Sequence, residues 1–328
     1  MLFALLLNGC DDGDLTVESV DFDDDSIQIQ TCDTLNTLLY KLKTQESLLL
    51  QLPLRSIKND ATKDGAPLVY NIETGGNGSY RVVYRAYDGA IATTNICSQI
   101  PPKTPNVTEE WLATSGKIVI VSTQNIETDP TTKATKITGY AHTINFQNIT
   151  FAKPSGIDQV ETLFYFGKYE TKILNPLVVT FTDQNAKYCK DARKIYNDNG
   201  TSALVIKNLA DGLILNEVTP TDKPRTALIN ATSTTNNVFY EVYGEPLPTD
   251  PSTYFCTTTT PQIPIINQSW AAATGDAAKA TGIIEVTTTE EANVFRHKIV
   301  LKATTVQKGN SSFYLGTELV MGTFTTLK

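Results

Sequence analysis

Apolar and polar residues alternate along much of the chain, as they do in strands with one covered face and one wet face. The period of two is plain in Ser26-Ile-Gln-Ile-Gln-Thr31 and Lys117-Ile-Val-Ile-Val-Ser122. It recurs in Arg81-Val-Val-Tyr-Arg-Ala-Tyr87 and Asn237-Val-Phe-Tyr-Glu-Val-Tyr243. The segment Asp33 to Leu52 has leucine spacing that would also suit a helix. A similar later segment contains Asn197-Asp-Asn-Gly200 between apolar runs, a hairpin turn signal, so both are expected to be β-hairpins. One short helix is expected in each half. Thr108-Glu-Glu-Trp111 offers a capping residue and first-turn carboxylates, and Gly116 sits where a terminating glycine would. Ser269-Trp270 and Gly275 repeat that design, and proline-rich loops (Pro101, Pro102 and Pro105; Pro261 and Pro264) precede both.

The chain contains itself twice. Cys97 precedes Trp111 and Cys256 precedes Trp270 by the same 14 residues, and each tryptophan precedes a glycine, Gly116 or Gly275, by 5. Cys32 leads into Leu39-Tyr40-Lys41 and Ser47-Leu-Leu-Leu50, as Cys189 leads into Ile195-Tyr196-Asn197 and Thr201-Ser-Ala-Leu-Val-Ile206. Ala141-His142-Thr-Ile144 answers Arg296-His297-Lys-Ile299, and Leu163-Phe-Tyr-Phe-Gly167 is matched to Ser312-Phe-Tyr-Leu-Gly316. The period is about 157 residues, far longer than a solenoid repeat of roughly 20–50 and long enough for each copy to bury its own core. The expectation is an all-β chain of two tandem homologous antiparallel β-sandwich domains, immunoglobulin-like, over 15–172 and 173–328 and joined near Thr171–Pro176. Trp111 and Trp270 follow the paired cysteines instead of lying between them, so the antibody pattern itself is absent.

The chain opens on an apolar run, Leu2 to Leu7, that ends Leu7-Asn8-Gly9-Cys10 and meets Asp11-Asp12-Gly13-Asp14 at once. The run is too short to span a bilayer, which takes about 20 apolar residues, and a short apolar run closed by small residues reads as a secretory signal. The ending resembles a bacterial lipobox with Cys10 as the diacylglyceryl acceptor, although Asn8 departs from the usual small residue. The acidic residues after Cys10 resemble the export signal of Bacteroidota lipoproteins. With the Asn/Thr/Lys-rich β style of the remainder, the chain is similar to uncharacterised flavobacterial-type outer-membrane or cell-surface lipoproteins. That resemblance implies a lipoprotein signal peptide over 1–10 that begins before the first residue given. It also implies an acidic tether over 11–14, membrane attachment through the lipid on Cys10, and exposure on the cell surface, with the periplasmic face of the outer membrane as the alternative. It carries over no binding residue.

Composition then narrows the chemistry. Removing Cys10 from the five cysteines leaves Cys32, Cys97, Cys189 and Cys256, an even number for a compartment that permits disulfides. Four cysteines allow three pairings. The repeat favours one staple per copy, Cys32–Cys97 and Cys189–Cys256. The net charge of −8 and pI near 4.9 argue against a nucleic-acid partner. Asp21, Asp23, Asp24 and Asp25 could offer oxygen ligands to Ca²⁺, but the EF-hand spacing and its glycine are missing, and a solvated strand near the tether is the better reading. His142 and His297 are in phase with apolar neighbours and are expected to be hydrogen-bonded core residues. Trp111 and Trp270 could stack on sugar rings, but their matched positions favour core plugs. Tyr80, Tyr84 and Tyr87 are expected to be partly exposed. Asn77 and Asn148 head Asn-x-Ser/Thr triplets that mean little in a bacterial chain, and Asp25-Ser26-Ile27 fits a short O-glycosylation pattern of Bacteroidota.

No nucleophile elbow, zinc-type His-Glu-x-x-His or phosphate loop occurs. No catalytic residue, metal ligand or cofactor follows, and the ligand-binding residues stay unassigned. The expectation is a non-enzymatic lipoprotein that acts as a binding or accessory subunit of an outer-membrane complex. The alternatives are a structural or adhesive surface module with no small-molecule ligand, and a glycan-binding lipoprotein. Specific function should map to what the two copies do not share. Those stretches are the polar Gln124 to Lys136 and the small-residue Ala271 to Gly282.

Overall fold

The computed structural model describes residues 19–328 apart from 74, 155, 182, 183, 233 and 260. The segments expected to be a signal peptide (1–10, with Cys10) and a tether (11–14) lie outside the described residues. Among the described residues half are in strands and 3% are helical, and the sheets are antiparallel. The chain divides into two compact units. Unit 1 takes the chain up to Lys58, Gly65–Val121 and His142–Tyr169, and unit 2 takes Asn59–Asp64, Ser122–Ala141 and Glu170–Lys328. The polar stretch Gln124 to Lys136 therefore belongs to the unit built mainly from the second half of the chain.

Unit 1 is built on β1 (Gln30–Thr31), β2 (Leu38–Leu42), β3 (Glu46–Gln51), β4 (Leu68–Asn71), β5 (Arg81–Tyr87), helix α1 (Thr93–Cys97), β6 (Val107–Thr128), β7 (Thr135–Ala152) and β8 (Gln159–Lys172). The strand order is β1-β2-β3-β5-β6-β7-β8, with β4 also on β6. Strand β6 faces inward through Trp111 and Ala113, then through Ile118 and Ile120, so its phase slips by one at Gly116. Its neighbour β7 slips in step, from Ile144 and Phe146 to Ile149 and Phe151, across Asn148 at φ +50°. Gly116 has φ +125°, and a Cβ there would lie 2.8 Å from the Ile149 Cα. Only glycine lets the two backbones approach this closely at such a kink. Both halves of the bent strands thus turn apolar residues onto one core, with Leu48, Leu50, Val82 and Tyr84 on one side and Ile118, Ile120, Phe146 and Phe166 on the other.

Unit 2 repeats this plan with β9 (Lys187–Cys189), β10 (Lys194–Asp198), β11 (Ser202–Lys207), β12 (Arg225–Leu228), β13 (Asn237–Tyr243), helix α2 (Ser252–Phe255), β14 (Ile266–Ala272), β15 (Ile283–Glu291), β16 (Val294–Lys302), β17 (Thr305–Lys308), β18 (Ser311–Tyr314) and β19 (Glu318–Leu327). The strands form two sheets, β18-β17-β14-β13-β11-β10-β9 and β12-β15-β16-β19. One core draws on both, for example Leu204, Ile206 and Trp270 from the first and Ile284, Ile299 and Met321 from the second. The outer part of the β6–β7 hairpin adds Ile137 and Tyr140 to this core. It also covers the edge strand β18. The Gln124 side-chain amide donates to the Ser312 carbonyl at 2.7 Å while its oxygen accepts the Ser312 N–H at 2.9 Å, and Thr135 Oγ1 accepts the Tyr314 N–H at 2.7 Å. Satisfying those main-chain groups closes an edge that could otherwise pair with another chain.

The hairpins expected over Asp33–Leu52 and around Asn197–Gly200 are β2–β3 and β10–β11. Their unbroken apolar runs are explained by burial on both faces. The inner face joins the main core, and the outer face carries Tyr40, Leu49 and Val83 in unit 1 and Tyr196, Ala203 and Val205 in unit 2. The disulfides Cys32–Cys97 and Cys189–Cys256 lie at these outer clusters and tie α1 and the turn after α2 to the sheet.

The expected helix positions need correction. Thr108–Gly116 lies in β6 and Ser269–Trp270 in β14, while the short helices sit beside the second cysteine of each unit. Trp111 and Trp270 each pair across a strand, with Tyr84 and Tyr240 respectively. Burying alternate side chains in that ladder outweighs a local capping signal worth about 1 kcal/mol. One part of the repeat comparison also shifts. Gly167 (φ +137°) on β8 and Gly322 (φ +145°) on β19 are the matched pair, since a Cβ on each would meet the residue three before the first cysteine, Ile29 or Ala186. The motif Ser312 to Gly316 instead begins on β18, inserted in unit 2 between β17 and β19.

Candidate functional site

Most of the chemistry-bearing residues named above are structural. His142 and His297 are fully buried. His297 bonds the Thr288 hydroxyl at 3.0 Å through Nδ1 and the Thr326 hydroxyl at 2.9 Å through Nε2. Burial pushes the His142 imidazole down to about 4. Trp111 is 1% exposed, donates from Nε1 to Glu109 at 2.9 Å, and has the Lys153 ammonium 4.6 Å from its ring. Trp270 is 5% exposed and donates to Gln268 at 3.2 Å, with the Lys308 ammonium 5.5 Å away. Tyr84 and Tyr87 are buried, contrary to the expectation of partial exposure, because both faces of β5 are covered. Tyr80 is half-buried and stacks on Tyr70 at 4.6 Å.

The acidic segment Asp21–Asp25 belongs to a strap that buries Val20 and Phe22 in unit 1. The buried Lys41 ammonium donates to the Phe22 carbonyl at 2.7 Å and the Asp24 carbonyl at 3.0 Å, and Lys43 pairs with Asp21 at 3.3 Å. The strap's carbonyls thus face an ammonium group already supplied by the chain. Among the described residues, no three His, Cys, Asp or Glu side chains gather to hold a metal ion. Asn77, Ser26 and Asn148 are exposed, the last at the β7 kink.

A concave site lies within unit 2, a cavity of about 380 Å³. Its apolar walls include Ile137 of β7, Trp270 of β14, Phe313 of β18 and Leu177. Its polar groups are Asn59, Asp60, Asn175, Gln268, Lys308 and Ser311. A hydrogen-bond relay sets one wall: the Tyr140 hydroxyl donates to Ser311 Oγ at 3.0 Å, and the Ser311 hydroxyl donates to the Asp60 carboxylate at 2.6 Å. Asp60 also accepts the Asn310 N–H at 3.2 Å, fixing the β17–β18 turn, and Ser311 Oγ accepts the Ala61 N–H at 3.1 Å. Burial holds the Tyr140 phenol above its ordinary range. A second cavity of about 380 Å³ shares Phe313 and is lined by residues of the hairpin tip between Glu127 and Lys136, by Val178 and by Leu319.

Of the two unshared stretches, Gln124 to Lys136 thus lines a cavity. The small-residue stretch ends in a loop in which Asp276 and Thr281 bridge and the Gly275 N–H donates to the Ile229 carbonyl at 2.8 Å. Asn59, Asp60, Asn175, Lys308 and Ser311 were not singled out from the sequence, because none belongs to a motif or to either stretch read as unshared. No known protein family, curated protein or solved structure matches this chain.

Proposed function

We propose that this protein is a non-enzymatic lipoprotein of the Bacteroidota outer membrane, tethered at the cell surface through Cys10, that acts as a binding or accessory subunit. Its halves are homologous immunoglobulin-like sandwich domains. The observation that carries the binding reading is the placement of the cavities. One is lined by the polar hairpin tip, which the two copies do not share, and the other brings Asn59, Asp60 and Asn175 together with Trp270 and Ser311, whereas the histidines are buried in cores. Shared positions are explained by a shared framework, and unshared segments on a rigid scaffold are where binding commonly resides.

Two measurements test it. Expressed from its gene in its own cell, the protein should incorporate labelled palmitate, and Cys10→Ala should lose the label. Label that survives the substitution ends the tether reading. Co-purification from the outer membrane should recover a partner with wild type and lose it when residues 126–134 are replaced by a short turn. A partner kept at full yield would place the binding surface elsewhere.

A further inference from the structure

We infer that the cavity beside Trp270 in unit 2 binds an uncharged sugar ring. This deepens the binding reading above and rests on it. The volume, about 380 Å³, falls within the range of small-molecule sites. A sugar ring presents a C–H face and a rim of hydroxyl groups, each both donor and acceptor. The cavity supplies a wall of matching kind for each. Trp270, Phe313, Ile137 and Leu177 form an apolar side, the first three with no more than 5% of their surface exposed, so a sugar ring would meet Leu177 and the edges of the two aromatic rings. Asn59 and Gln268, whose amide oxygens accept from Thr171 and from Trp270 and Lys308, bring N–H donors for a hydroxyl, and Asn175 brings a whole amide that can donate and accept.

Charge then selects among polar ligands. The lining contains one carboxylate, Asp60, and one ammonium group, Lys308. Asp60 already accepts the Ser311 hydroxyl and the Asn310 N–H, and Lys308 sits over the Trp270 ring with its Nζ 3.4 Å from the Gln268 amide oxygen. Opposite charges of equal number leave no surplus to hold a phosphate or a free cation, which would need several uncompensated partners. Unit 1 makes the contrast visible. There the residue two before the tryptophan is Glu109, a carboxylate, where unit 2 has the neutral Gln268. Asn175 is the lining amide most open to a ligand. It is exposed at the cavity, and among the described residues it makes no hydrogen bond within the chain.

The two tryptophans provide the probe. In the full chain carrying Cys10→Ala and labelled with ¹⁵N, each indole N–H gives one nuclear magnetic resonance signal. Glucose, galactose, mannose, N-acetylglucosamine and the disaccharides maltose, cellobiose and lactose are titrated, with glucuronate and glucose 6-phosphate as charged counterparts. At least one neutral sugar should shift one indole signal saturably and leave the other in place. Asn175→Ala should weaken that binding by about tenfold, the effect of one lost hydrogen bond, with the rest of the spectrum unchanged. Lys279→Ala, on the exposed 276–281 loop, should leave the affinity as it is. The proposal is overturned if neither indole moves at about 50 mM of any sugar, far above a millimolar Kd. It is also overturned if only the charged sugars bind, or if Asn175→Ala binds as well as the parent. None of these results touches palmitate labelling or partner recovery, so the tethered binding reading stands or falls separately.

Discussion

In unit 1 a single strand, β6, runs through the kink at Gly116, whereas in unit 2 the matching chain stops at Ala272 and resumes as a strand at Ile283. One unit is accordingly a continuous eight-stranded sheet and the other two sheets of seven and four strands. Both nevertheless bury one main core from both sides of the bend, and both carry a left-handed residue at the neighbouring kink, Asn148 or Ala303. The ladder can be interrupted because the inward side chains and the disulfide hold the arrangement. What the units do not share follows the same logic. The β15–β16 connection is two residues long, while the β6–β7 hairpin extends into residues that pack in unit 2.

The largest test of this equivalence is the disulfides. They close chain separations of 65 and 67 residues, and the chain-entropy account gives each about 4 kcal/mol. Cys32→Ser with Cys97→Ser, and Cys189→Ser with Cys256→Ser, should therefore lower stability equally in denaturant titrations. A clearly unequal loss would mean the two units differ in their unfolded states. The next test uses β5 and β13, where Arg85 and Glu241 occupy matching positions. Glu241 is 3% exposed and accepts from Lys207 at 2.6 Å and from the Tyr243 hydroxyl at 2.8 Å, while Arg85 pairs with Glu110 at the surface. Lys207→Met should cost about 3 kcal/mol by leaving a buried carboxylate without its cation. Arg85→Met should cost less than about 1 kcal/mol.

Acid should affect both units through their buried histidines. Burial depresses His142 to about 4 and depresses His297 as well, with Arg225 adding to the second shift. A depressed folded value means the stabilisation is present above the ordinary histidine range near 6.5 and is lost as pH falls from there towards 4. For His142 that loss amounts to about 3 kcal/mol. His142→Gln should flatten the stability profile between pH 6.5 and 4, and an unchanged slope would remove His142 as its source. The smallest expected effect separates the matched glycines. A Cβ at Gly322 would strike the Gln184 carbonyl, whereas at Gly167 it would meet the movable Ile29 side chain at 3.0 Å. Gly322→Ala should exceed Gly167→Ala by about 2 kcal/mol in a thermal or denaturant assay.

Much of the framework was legible because it is written twice. The β2–β3 and β10–β11 hairpins and the core histidines followed from alternation plus repetition. The pairing that joins Cys32 to Cys97 and Cys189 to Cys256 in the structure is the one the repeat favoured. The helices were misplaced because Thr108-Glu-Glu carries a strong local cap signal, while the pairing of Trp111 with Tyr84 is a long-range fact. The cavity was almost illegible. Its Asp60–Ser311 contact joins residues 251 apart, and neither belongs to a motif.

The sequence by itself determined strands of period two and a pattern of cysteines, tryptophans and apolar runs that recurs about 157 residues on. These depend on neighbours a few residues apart, or on a pattern that recurs. Only the tertiary structure decided that the polar hairpin tip packs in unit 2, that Lys41 faces the acidic strap, and that Trp270, Asn175, Asp60 and Ser311 line one cavity. Each of those outcomes depends on which distant segments satisfy a buried polar group or cover an exposed strand edge, and local pattern carries no record of that choice.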